Sequence, residues 1–277
     1  MVPFTNFPMQ REHVLISGNT KIGVMPEICL VSHFQVGSWP VLYRAAETGN
    51  VKRWGLPLMI PNFARLKQGI FQEKGTTLPI HGFGRNLPWT VIEQEQDSIS
   101  ILLTSSERTR QNYPYEFTFT AKIVAGEEDT VGTLTYTLTM ENRGEEVMPI
   151  APGFHPYFTV EQRDKARLLV NGLTGFAAEK IQWNTQPPDQ PYAFPHQVTI
   201  DVPQRGTLTI LERPVADKYV LSTMQVWSEP ASAPDHNFVC FEPVVTSEDG
   251  LNRPQDRLNI EPHSAQQLTL QFRARTA

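Results

Sequence analysis

The first chemistry this sequence offers is a histidine set between aromatic rings and prolines: Ala151-Pro152-Gly153-Phe154-His155-Pro156-Tyr157-Phe158. Proline fixes φ and lacks a donor, and glycine admits dihedrals that other residues avoid. The segment therefore reads as a stiff turn presenting His155, rather than as regular helix or central strand. Taken alone, His155 reads as a hydrogen-bonded core histidine. The second group is a carboxylate in Asn237-Phe238-Val239-Cys240-Phe241-Glu242-Pro243. Glu242 ends an apolar run just before a proline. Spacing alone favours a strand-end residue turned to solvent; in a pocket, apolar surroundings would raise its pKa and make it a base near neutral pH. Two further clusters carry polar groups among glycines and prolines. One is Arg53-Trp54-Gly55-Leu56-Pro57 followed by Ile60-Pro61-Asn62-Phe63. The other runs from Leu78 to Trp89 and contains His81 and Arg85, which by themselves read as a loop salt-bridge cluster.

The elements that must hold these groups have period two. Residues 115–123 (YEFTFTAKI) put Phe117, Phe119, Ala121 and Ile123 on one face and Glu116, Thr118, Thr120 and Lys122 on the other. Residues 133–140 (TLTYTLTM) repeat the pattern. Alternation with β-branched and aromatic enrichment marks half-buried strands. Shorter candidates are 13–16, 21–25, 27–34, 99–104, 167–171, 197–202, 207–211, 218–222, 224–227, 237–241 and 267–273. No long stretch has helical spacing with good caps. Many short strands separated by turn residues imply an all-β, mostly antiparallel sandwich or barrel. Residues 54–88, with several glycines and prolines, 182–196 and 228–236 break the pattern, and the last two read as long surface loops. None is long or biased enough for a linker, so residues 1–277 are expected to form one domain.

Composition narrows the partners. Of 277 residues, 40% are hydrophobic, and the net charge is −5 with no basic run. That argues against nucleic acid or an anionic membrane surface as the main partner. The two cysteines, Cys29 and Cys240, form no C-x-x-C pair and read as buried free thiols. The start, Met1-Val2-Pro3-Phe4-Thr5, lacks a charged n-region and an apolar h-region, and no apolar run approaches membrane-spanning length. A reducing cytoplasm is the expected location.

Taken in order, HGFGR followed by Trp89, then GFHPYF, then FVCFEP, then Asn259-Ile260-Glu261-Pro262 resemble landmarks of the aldose 1-epimerase (galactose mutarotase) superfamily, including its hexose-6-phosphate 1-epimerase branch. The resemblance runs from about residue 50 to the C-terminus. It implies a large antiparallel β-sandwich and interconversion of the α and β anomers of a sugar. By position, His155 matches the family's general acid on the ring oxygen, and Glu242 matches its general base on the C1 hydroxyl. His81 and Arg85 match sugar-contacting residues. The expected partner is a small sugar or sugar phosphate, handled by a monomer or homodimer without metal or other cofactor; no HExxH, P-loop or G-x-S-x-G signal is present. Trp89, Phe154, Tyr157 and Trp227 offer apolar faces for a sugar ring or for the core.

Two departures from the family pattern stand out. Arg53 is followed by Trp54 and Gly55, where the phosphate-using branch has two glycines. Arg53 and Arg85 still allow an anion site, but a tryptophan there can block the approach. After Gly172-Leu173-Thr174-Gly175 the family places an aspartate; here Glu179 follows, either filling that role or simply exposed. A non-catalytic sugar-binding or sensor protein on the same scaffold would keep the aromatics and His81 without needing both His155 and Glu242. A hydrolase would want a second catalytic carboxylate.

Overall fold

Alternation of apolar and polar residues decides the architecture. The chain is described here by a computed structural model covering residues 11–45 and 53–277. The opening residues read above for a targeting signal lie outside the described residues. Phe117–Glu128 pairs antiparallel with Val131–Asn142 over the full length of both. Phe117, Phe119, Ala121, Ile123, Leu134, Tyr136, Leu138 and Met140 are all buried, so the period-two faces are the core faces. These two strands sit in an eight-stranded sheet in the order Leu169–Asn171, Gln197–Val202, Gly206–Arg213, Ala265–Thr276, Val131–Asn142, Phe117–Glu128, Ser98–Thr104, Thr90–Gln94.

A ten-stranded sheet covers it. Its main path runs His13–Ser17, Thr20–Met25, Leu30–Val36, Leu56–Met59, Gly153–Phe154, Phe238–Val244, Thr223–Trp227, Asp189–Ala193. Tyr157–Thr159 also pairs with Phe238–Val244. The named strands pair antiparallel throughout; among the described residues two isolated bridges, Ile60 with Gly82 and Asn62 with Ala151, are parallel. Side chains from both sheets meet in one apolar layer: Phe158 lies 5.8 Å from Phe272, and Tyr136 lies 5.0 Å from Phe154, ring centre to ring centre. The fold is the expected all-β antiparallel sandwich. The described residues contain one four-residue α-helix, Glu107–Arg110. No helix among them is long and apolar enough to cross a membrane. Both Cys29 and Cys240 are buried free thiols.

Several sequence expectations need correction. Residues 218–222 form no strand. There the buried Glu212 carboxylate accepts the backbone N–H of Val220 and Leu221, and so takes donors a ladder would need. The proline-rich stretch 182–196 contains the edge strand Asp189–Ala193. Pro191 is tolerated there because an edge residue can do without an outward donor. In the 27–34 candidate, Pro26–Ile28 is a 3₁₀ turn closed by Cys29 at φ 46, and the strand starts at Leu30. The 151–158 segment is less turn-like than its prolines suggest. It supplies two short strand pieces, Gly153–Phe154 and Tyr157–Thr159, interrupted at His155-Pro156.

Candidate functional site

The site is built on the outer face of the ten-stranded sheet by the same alternation that builds the core. In Phe238–Val244, Val239 and Phe241 enter the inter-sheet core, while Cys240 and Glu242 leave the opposite face. In Thr223–Trp227, Met224 and Val226 go inward, and Gln225 and Trp227 go outward. In Asp189–Ala193, Asp189 and Pro191 share that outer face. Register lines these up in rows: Glu242 opposite Gln225, Gln225 opposite Pro191, Trp227 opposite both Asp189 and Cys240. Tyr157 pairs with Cys240 from the other side, which brings His155 alongside Glu242. Gly153 is required beneath this row, because a Cβ there would stand 2.4 Å from Val244 Cγ1.

Loops roof the face and leave a cavity of about 640 Å³, within the usual range for small-molecule sites. Its floor holds His155, Glu242, Tyr157, Gln225 and Trp227; its walls include Arg53, Arg65, His81, Arg85 and Asp189. His155 Nδ1 lies 3.5 Å from Glu242 Oε1, and the two residues are 6% and 2% exposed. The approach is at ion-pair distance but lacks hydrogen-bond alignment. Nδ1 therefore has no hydrogen-bond partner among the described residues. The imidazole stacks on Tyr157 (4.6 Å, 4°) and meets the edge geometry of Trp227 at 5.8 Å. Burial pushes Glu242 well above its ordinary value, helped by Asp189 and opposed by Arg85. Burial also pushes His155 well below its ordinary value, with His81 and Arg85 adding to the effect. Both shifts favour the uncharged forms when the cavity is empty.

His81 sits in a left-handed conformation (φ 63) followed by Gly82 (φ 67), where a Cβ would collide with Ile60 O at 2.1 Å. That turn places the ring 5.3 Å from His155. The Ala64 N–H donates to His81 Nδ1 at 3.1 Å, which fixes the proton on Nε2. Burial, with Arg85 and Arg65 nearby, lowers His81 to about 3, so the ring is neutral and Nε2–H is a donor. Arg85 has its Nε buried without a partner among the described residues. Arg53 is at the cavity, but its guanidinium is paired with Glu229 and lies over Trp227. Trp54 turns away from it into a small cluster with Met25, Ile28 and Leu30, so it does not block the cavity.

Two expected sugar contacts are elsewhere. Trp89 is buried, and its indole N–H donates to Gly84 O at 2.9 Å; it braces the loop bearing Arg85 and does not line the cavity. Glu179 is exposed on the 3₁₀ turn Ala178–Lys180 and also lies outside the lining. Phe154 belongs to the inter-sheet core, whereas Tyr157 and Trp227 do face the cavity. Sequence reading missed Asp189 and Gln225, which are joined by a 2.6 Å hydrogen bond from Gln225 Nε2 to Asp189 Oδ1. The alternation of Asp189, Pro191 and Ala193 could have revealed the former, had the prolines not masked a strand. For cofactors, one set of potential metal donors stands at the floor: His155, Cys240 and Glu242, all mutually within 4.8 Å.

Comparison with known proteins places this antiparallel sandwich in a family. Residues 66–240 match the family model for aldose 1-epimerase, and the chain belongs to that family. A Salmonella typhimurium protein named "Putative glucose-6-phosphate 1-epimerase" is 33% identical over 160 residues, spanning 55% of this chain and 48% of its own. The chain thus spans about half the length of the curated relatives it matches in this way. The "Uncharacterized protein YphB" of Escherichia coli is 26% identical over 201 residues, 64% of each chain. Among solved structures, Slr1438 of Synechocystis sp. PCC 6803 superposes with a TM-score of 0.83 at 21% identity, covering 100% of this chain and 99% of that one. Galactose 1-epimerase of Lactobacillus acidophilus NCFM superposes with a TM-score of 0.71 at 13% identity, covering 96% and 94%. At those identities the structures speak to the fold alone.

Proposed function

We propose that this chain is a cofactor-independent isomerase that interconverts the α and β anomers of a hexose by acid–base ring opening and closure. The observation that carries this reading is the buried His155–Glu242 approach of 3.5 Å at the floor of a cavity open to small molecules. Ring opening breaks the C1–O5 bond. O5 gains a proton from His155, and the C1 hydroxyl loses one to Glu242, leaving an aldehyde. Rotation about C1–C2 presents the other carbonyl face. Closure then returns both protons by the reverse path. Such help is worth roughly 10²–10⁴-fold per group.

The pair needs one proton between its two sites. A neutral imidazole beside a carboxylic acid, and an imidazolium beside a carboxylate, hold the same number of protons. Burial favours the first in the empty cavity; sugar hydroxyls and the Arg85 guanidinium offset the penalty on the second. The His81 Nε2–H, Arg85 and Asp189 are assigned to sugar hydroxyls, and Tyr157 and Trp227 to an apolar ring face. The reading is of one domain, monomeric or homodimeric, acting in a reducing cytoplasm; the two free thiols support the compartment.

A hexose 6-phosphate is the second reading, favoured by Arg53, Arg65 and Arg85 in one cavity. Turnover of glucose and of glucose 6-phosphate, with and without Arg53→Ala, separates the two. A preference for the phosphate that Arg53→Ala abolishes supports the second reading; equal turnover rejects it. Sugar binding that survives intact in a His155→Ala, Glu242→Gln double variant, with no anomer exchange in the wild type, favours a binding protein instead.

A further inference from the structure

Three donors of different chemistry converge beneath the cavity: His155 Nδ1, Cys240 Sγ and a Glu242 carboxylate oxygen, each within 4.8 Å of the others. All three residues are buried. Their meeting follows from register. Cys240 and Glu242 are two apart on one strand and so share a face, and Tyr157 opposite Cys240 carries His155 over that face. A second observation concerns the nitrogen. Nδ1 is buried, lies 3.5 Å from Glu242 Oε1, and has no aligned hydrogen-bond partner among the described residues, which leaves its lone pair available to an ion.

We propose that this trio is a binding site for a divalent zinc-like ion, and that an ion bound there blocks the acid–base pair. One nitrogen, one sulfur and one oxygen are donor types that zinc takes together, three protein ligands leaving the fourth position open. Metal–ligand distances of about 2.0–2.3 Å in a tetrahedron require ligand–ligand edges of roughly 3.3–3.7 Å. The His155–Glu242 edge is already 3.5 Å. The Cys240 edges, at most 4.8 Å, need to shorten by up to about 1.1–1.5 Å on that geometry. His155 and Glu242 line the cavity while Cys240 lies beneath it, so water or a sugar hydroxyl would complete the shell from the cavity side.

The charge balance is explicit. Cys240 would bind as a thiolate from an apolar cluster with Tyr157 and Phe238, on the side of the sheet where the Lys165 ammonium lies over the Phe238 ring. Lys165 is itself fully buried, its ammonium donating to Ser228 Oγ at 2.8 Å. The dication supplies the remaining stabilisation, and binding releases the thiol proton and the proton of the His155–Glu242 pair to solvent. No oxidation or bond transfer is involved.

The binding half stands on geometry alone; the inhibitory half rests on the proposed epimerase reading. The test uses the full chain freed of metal by a chelator. One equivalent of Cd²⁺ is expected to produce the ultraviolet thiolate-to-cadmium charge-transfer band, and Zn²⁺ to remove it by competition. Zn²⁺ is expected to slow anomer exchange in the wild type. Cys240→Ser should weaken both effects by more than about tenfold, since removing even an outer-shell partner costs 10–100-fold, each variant being measured against its own metal-free rate. No band at one equivalent overturns the site, as does a folded Cys240→Ser or Cys240→Ala protein that binds Zn²⁺ as tightly as wild type. The wild-type band needs no variant, so a misfolded substitution leaves the test intact. If metal-free wild type shows no anomer exchange, the epimerase reading fails while the band still decides the site.

Discussion

Glu242 and His155 are held where their charged forms are disfavoured, and this has a cost in stability. Glu242 titrates above its ordinary 4.5, so the folded chain keeps a proton the unfolded chain has lost. Its contribution to stability is therefore present at low pH and falls as pH rises past 4.5. His155 titrates below 6.5, so its contribution is lost as pH falls below 6.5, where the unfolded chain gains a proton. Glu242→Gln removes the first penalty. At pH 7 it is expected to raise the melting temperature while lowering anomer exchange by roughly 10²–10⁴-fold; thermal melts and rate measurements on one preparation check both. Lys165 follows the same logic with the opposite charge. Burial lowers it from 10.5 to about 8, so the unfolded chain binds more protons between those values and stability rises with pH across that window. Lys165→Met is expected to abolish the rise between pH 8 and 10.5 in denaturant titrations. A rise that persists in the variant assigns the effect elsewhere.

Strands and turns decide which side chains reach the cavity. Gly82→Ala forces a Cβ to 2.1 Å from Ile60 O and strains a positive φ. It is expected to move His81 and Arg85 together, raising KM and lowering kcat/KM far more than Trp89→Phe. The latter loses the hydrogen bond to Gly84 O, expected to cost about 1–3 kcal/mol of stability with a smaller effect on kcat/KM, readable by denaturation and steady-state kinetics. Much at this scale was legible beforehand. The strands Phe117–Glu128 and Val131–Asn142 announce themselves because one face is apolar from Phe117 to Ala125 and from Leu134 to Met140. Asp189–Ala193 did not: it is an edge strand with a proline, and its one pairing partner, Thr223–Trp227, supplies order that no local pattern records. For Trp89 the choice between a sugar face and the core stayed open, because an indole beside a polar loop suits a stack and a brace equally until the Gly84 bond is seen. For Glu179 the exposed alternative holds: distance along the chain from a landmark says nothing about which face a turn presents.

Across the whole molecule, one sheet does two jobs. Its inner face joins the apolar layer against the eight-stranded sheet, and its outer face lines the cavity of the proposed chemistry, so alternate residues of Phe238–Val244 face the core and the candidate site in turn. His155 and Glu242 are 87 positions apart in sequence, yet strand register brings them together. That meeting was inferable only through family resemblance, because no periodicity within either segment reports on the other. The most direct test is saturation-transfer NMR of α- and β-glucose exchange, with glucose 6-phosphate in parallel, comparing wild type with the folded Glu242→Gln protein. The expected result is accelerated exchange of at least one of these sugars by the wild type, reduced by roughly 10²-fold or more in the variant. Exchange no faster than in buffer, or equal acceleration by both proteins, contradicts an imidazole–carboxyl pair working on a sugar in this cavity.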